Sequence, residues 1–102
     1  MTTKNESNEL SDFLLQVTQA TTFKQLQKAY TQVTKDFDEI INRDEKGRTA
    51  AFVQRYRVLE DIAKEILKRD PNGNIPSEQD VAIIGEMVIL RDVCLKRLEI
   101  AK

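Results

Sequence analysis

The chain contains no histidine among its 102 residues. That removes the commonest general base, the commonest transition-metal ligand and the usual pH switch near neutrality. It has a single cysteine, Cys94, so neither an internal disulfide nor a four-ligand zinc site can form. Cys94 stands at helical spacing between Leu90 and Leu98, which predicts a buried, inert thiol, and one unpaired cysteine suits a reducing compartment. Prolines number two and glycines three, and four of these five (Gly47, Pro71, Gly73 and Pro76) fall between segments with helical patterning. Sixteen basic residues face seventeen acidic ones, a net charge of −1, so no global field steers the domain onto nucleic acid or anionic lipid. No apolar run approaches the length of a membrane span, and the opening Met1-Thr2-Thr3-Lys4-Asn5-Glu6-Ser7 has no signal-peptide core. These absences together lead us to expect a soluble cytoplasmic chain without metal or cofactor.

What remains is helix. We expect residues 1–7 to form a polar tail and residues 8–102 a single helical domain. Ser7 or Asn8 is placed to cap a short first helix carrying Leu10, Phe13, Leu14 and Val17 and ending near Ala20. Thr22-Phe23-Lys24-Gln25 has the form of a capping box, in which side chains three residues apart satisfy each other's free amides. Beyond it, Phe23, Leu26, Tyr30, Val33, Phe37 and Ile40 follow spacings of 3, 4, 3, 4 and 3, a narrow coiled-coil-like seam. Asp44-Glu45-Lys46-Gly47 then breaks the pattern. A third helix, from about Thr49 to Arg69, presents Ala51, Phe52, Tyr56, Leu59, Ile62, Ala63, Ile66 and Leu67 on one face. Asp70-Pro71-Asn72-Gly73-Asn74 is a turn, and Ser77 with Asp80 forms a second capping box opening the last helix. One short and three long helices joined by short connections predict an all-α, antiparallel four-helix bundle.

The last helix is apolar on two sides, where a surface helix usually shows one stripe. Ile83, Ile84, Met87, Val88, Leu90, Cys94, Leu95, Leu98 and Ala101 cover one broad face. Ala82, Ile89, Val93 and Ile100 line up nearly opposite, flanked by Glu86, Asp92, Lys96 and Arg97. The second stripe is either packed under the short first helix or an interface with a second copy or another protein. Gly85 favours an interface: a mid-helix glycine costs about 1 kcal/mol relative to alanine, a cost often tied to close helix approach.

Two arginines stand within apolar faces. Arg55 lies between Phe52, Leu59 and Ile62, and Arg91 between Ile84, Met87, Val88 and Leu95. Their stems can pack while the heads reach water; they can pair with a carboxylate, for which Asp36 is well placed; or they can converge on an anion such as a carboxylate or phosphate. In that last form, a small helical protein with arginines facing a cavity resembles the all-helical chorismate mutases. The resemblance rests on helix count, size and the rhythm from Asn74 to Leu98, and implies an enzyme acting on an anionic metabolite through Arg55 and Arg91. No catalytic motif of that family is matched: the final helix lacks the terminal glutamine and the early helices carry lysines.

Leu26-Gln27-Lys28-Ala29-Tyr30 is similar to the second helix of J domains. Those domains depend on a His-Pro-Asp loop, and here the corresponding region is Asp36-Phe37-Asp38-Glu39. Asp70, Asn72 and Asn74 alternate like calcium ligands, but an EF-hand wants glycine and glutamate where Ile75 and Val81 stand. Arg57, Lys64 and Lys68 interleave with Glu60, Asp61 and Glu65, the pattern of a solvated, ion-paired face, so nucleic acid is not the expected partner. The expected role is non-enzymatic: protein–protein interaction by a regulatory, adaptor or inhibitor module, a homodimer through Ala82, Gly85, Ile89, Val93 and Ile100. A helical enzyme or sensor using Arg55 and Arg91 is the alternative, and a nucleic-acid-associated regulator the third.

Overall fold

Thr22 caps the helix that the sequence predicts to open there. In the computed structural model its hydroxyl accepts the Gln25 amide at 3.2 Å while the Gln25 side chain accepts the Thr22 amide at 3.1 Å, closing two of the free donors every helix start leaves. Helix α1 runs Phe23–Arg43, α2 Ala50–Leu67 and α3 Glu78–Ile100. The structure describes residues 22–68 and 75–100, together with Val17 and Gln19; no strand occurs among them. The polar tail, the expected short N-terminal helix apart from Val17 and Gln19, and the turn at Asp70–Asn74 lie outside the described residues. Three packed helices are therefore seen among the described residues, and the fourth expected helix falls almost wholly outside them. Val17 is fully buried against the core they form.

The seam of α1 buries Phe23, Leu26, Val33, Phe37 and Ile40, as spaced. Ala29 is buried too, and Tyr30 is only half-buried, because its phenol sits at the edge where α1 meets α2. Burial pushes the Tyr30 hydroxyl's pKa up, with the carboxylates of Glu60 and Asp61 adding to it. Helix α2 buries Tyr56, Leu59, Ala63 and Ile66. Its stripe is narrower than the sequence predicts, with Ala51 and Ile62 exposed and Phe52 and Leu67 half-buried. At the centre the rings of Phe37 and Tyr56 stack, 3.8 Å apart and 13° from parallel.

Helix directions follow from cross-helix pairs. Phe52 lies under the Arg97 guanidinium at 4.9 Å, and Arg55 reaches Glu86 at 3.2 Å, so α2 and α3 are antiparallel. Helix α3 packs more extensively against α1 and α2 than those two pack on each other. It begins with the second capping box: Ser77 N–H donates to Asp80 at 3.0 Å, and the Asp80 amide donates to the Ser77 hydroxyl at 3.1 Å.

The reversal between α1 and α2 is built around Asp44. Its carboxylate accepts the Arg48 amide at 2.9 Å, the Thr49 amide at 2.7 Å and the Thr49 hydroxyl at 2.6 Å. Gly47 takes a left-handed φ of 68° within this loop, a region where side chains are strained. The Thr49 hydroxyl and amide, then the Arg48 amide, hold the Asp44 pKa below the usual carboxylate value.

Two outcomes follow. Phe37→Ala should cost about 3–5 kcal/mol, as for other buried phenylalanines, whereas the exposed Lys35→Ala should cost under about 0.5 kcal/mol; equal losses in urea melts would overturn the face assignment. A folded-state pKa below the unfolded one gives stability that is complete above about pH 4 and is lost as pH falls through the folded value. Acid melts of Asp44→Asn should therefore lose part of the wild-type slope below pH ~4, while starting from lower stability at neutral pH.

Candidate functional site

The two arginines are each matched by a carboxylate from a neighbouring helix. Arg91 of α3 donates from Nη1 to Asp36 of α1 at 3.1 Å, with side chains only 16% and 21% exposed. Of the three roles open to Arg91 in the sequence, the Asp36 ion pair is the one formed. A guanidinium so far removed from water requires such a partner. Arg55 of α2 places Nη2 at 3.2 Å from both Glu86 oxygens of α3, but here the side chains are 53% and 42% exposed. The first pair joins α1 to α3 near the core, and the second bridges α2 and α3 at the surface. Their energetics differ accordingly. A surface pair is worth about 0–1 kcal/mol, whereas removing one partner of a largely buried pair costs about 3 kcal/mol because a charge is left uncompensated.

Neither arginine lines the groove of ≈ 510 Å³ between α1 and α2, whose walls include Gln27, Tyr30, Lys64 and Glu65. That groove is open and mixed in charge. Among the basic residues considered for nucleic acid, Arg57 pairs with Glu60 at 3.4 Å and Lys68 with Glu65 at 3.1 Å. Glu60 is drawn inward from the outer face, accepting the Tyr56 hydroxyl at 2.7 Å, and Arg57 lies 5.5 Å over the Tyr56 ring. Burial first, and then the Glu60 hydrogen bond, push the Tyr56 pKa up and keep the phenol neutral.

Cys94 is buried, and its thiol pKa is pushed up to about 11 by burial and then by the Asp44 carboxylate. It is a packing residue, not a nucleophile. No group of three or more side chains suited to a metal ion occurs among the described residues; Asp70, Asn72 and Asn74 lie outside them. No described helix is long and apolar enough to cross a membrane.

The second stripe of α3 faces outward. Ala82 is exposed, Ile89 is 48% exposed, and Gly85 and Val93 are half-buried. The Ile100 side chain lies outside the described residues. A Cβ built on Gly85 would meet nothing within 4 Å among the described residues, so neither α1 nor α2 approaches closely there. The sequence reading omits two further residues of this kind. Val58 is 50% exposed and Ile62 41%, one turn apart on α2 and on the side that Arg55 turns toward α3. Val58 goes unnoticed because it lies outside the α2 stripe, and Ile62 because it is counted as core. No protein-family model, curated protein or solved structure matches the chain.

With each guanidinium already carrying a carboxylate, phosphate or a dicarboxylate should raise the melting temperature no more than sodium chloride at equal ionic strength. Ligands confined to the native state stabilise it saturably, so a saturable shift lost in Arg91→Met would restore the anion-pocket reading. Asp36→Ala should cost about 3 kcal/mol and Glu86→Ala under about 1 kcal/mol; similar losses in denaturant melts would contradict this ranking.

Proposed function

We propose that the chain is a non-enzymatic, cytoplasmic interaction module that works as a homodimer, in the manner of a regulatory, adaptor or inhibitor protein. The observation that carries this reading is the outer face of α3, where Ile89 stands 48% exposed in line with Ala82 and Val93. Large aliphatic side chains at regular helical spacing on a solvent face mark contact surfaces when they are contiguous. Each buried aliphatic side chain contributes roughly 1.5–3 kcal/mol, enough for several per subunit to sustain association. The buried, high-pKa thiol and the ion-paired arginines fit a role without chemistry. The enzyme alternative gains no comparable support, because an anion at Arg55 or Arg91 must compete with the Glu86 or Asp36 carboxylate already there.

A closed two-fold contact places the same patch on both subunits, so one charge introduced there counts twice. In sedimentation the wild type should be a dimer at micromolar concentration and Ile89→Glu a folded monomer by circular dichroism. A wild type that remains monomeric, or an Ile89→Glu dimer as tight as the wild type, overturns the reading.

A further inference from the structure

Accepting that self-association, we infer that its contact surface is a two-helix face, in which Arg55 and Glu86 of one subunit pair with Glu86 and Arg55 of a second copy. At 3.6 residues per turn, Arg55, Val58 and Ile62 fall within a sector of about 60° on α2, and Ala82, Glu86, Ile89 and Val93 within about 60° on α3. The Arg55–Glu86 contact at 3.2 Å joins the two sectors edge to edge. Val58, Ile62 and Ile89, three of the exposed large aliphatic side chains, thus share one face with the Arg55–Glu86 pair, whose side chains are both about half-exposed.

The charges identify the occupant. Beside Arg55 and Glu86 the rim of this face carries Lys96, paired with Asp92 at 3.3 Å, and Arg97 over the Phe52 ring, so charge of both signs is present and neither a strongly acidic nor a strongly basic partner is favoured. The face is complementary to itself. A two-fold axis along the groove between α2 and α3, midway between Arg55 and Glu86, sets each guanidinium opposite the other subunit's carboxylate. It also lays α2 of one subunit antiparallel along α3 of the other, so the contact is itself a four-helix arrangement.

The axis fixes the register. Because α2 and α3 are antiparallel, Val58 and Ile62 lie level with the turn of α3 before Glu86, which carries Ala82 and Gly85. In the dimer these two aliphatic side chains meet the smallest residues of the opposing helix.

The test is a charge exchange on the full chain. Arg55→Glu leaves two carboxylates on each face and Glu86→Arg two guanidiniums, so like charges oppose across the axis in either homodimer. Each variant alone should dimerise at least about tenfold more weakly than wild type, a loss typical of close like-charge contacts, and an equimolar mixture should recover a heterodimer of near wild-type affinity. Recovery on mixing also shows that both variants are folded. As an independent arm, chains carrying Ile62→Cys and Ala82→Cys should cross-link to each other on mixing under mild oxidation, faster than either does alone.

If Ile89→Glu separates the subunits while both charge variants dimerise like wild type and mixing gives no preference, the paired face is wrong and the dimer stands. Absent mixed cross-linking with charge variants that fail to recover has the same meaning. A wild type monomeric at every concentration removes both proposals.

Discussion

Burial of the inner face of α3 is the constraint on which the rest of the molecule depends. Ile84, Met87, Val88 and Cys94 are fully buried and Leu98 nearly so, and they are covered from one side by α1 and from the other by α2. Isolated helices of 18–23 residues are marginal in water, and tertiary packing of an apolar face supplies most of their stability. The α1–α2 contact is the lesser one, centred on the Phe37–Tyr56 stack. The Asp36–Arg91 pair sits on the α1–α3 seam with most of its surface out of water. A slip of one turn between those helices would bury Arg91 against aliphatic neighbours without its carboxylate. Such a pair adds little net stability and penalises the wrong register.

The parts of this fold legible in the sequence are those governed by local, reciprocal chemistry. Both capping boxes form because each needs only side chains three residues apart, and the α1 seam holds because one periodicity places one face. Where three helices meet, periodicity is insufficient. Tyr30 and Ala29 both lie near the seam margin, and the tyrosine is held outward because its hydroxyl favours the wet edge. Ile62 has the spacing of a core residue, yet α2 has too few covering neighbours to bury its full apolar width. Glu60 reads as a surface charge until Tyr56, four residues earlier, requires an acceptor for its buried hydroxyl.

The candidate site was legible to a different degree. That Arg91 needs a carboxylate follows from its apolar neighbours, and Asp36 was identifiable from its place on the α1 margin. The partner of Arg55 was not, because Glu86 lies thirty-one positions away on a helix whose orientation depends on tertiary packing. The outer stripe of α3 was visible as a pattern. Its continuation onto α2 through Val58 and Ile62 depends on which edge of α2 borders α3, a fact of packing that helical spacing does not contain.

The placement of Cys94 gives the molecule a built-in clock. It is the sole thiol of the chain, fully buried on the inner face of α3, with its ionisation pushed up to about 11. Alkylating reagents attack thiolate and need access, so in the native state both conditions fail together. Opening that separates α3 from its neighbours restores both at once. The rate at which Cys94 is trapped therefore measures how often the core comes apart under native conditions, without an added probe and with every other side chain as the sequence has it.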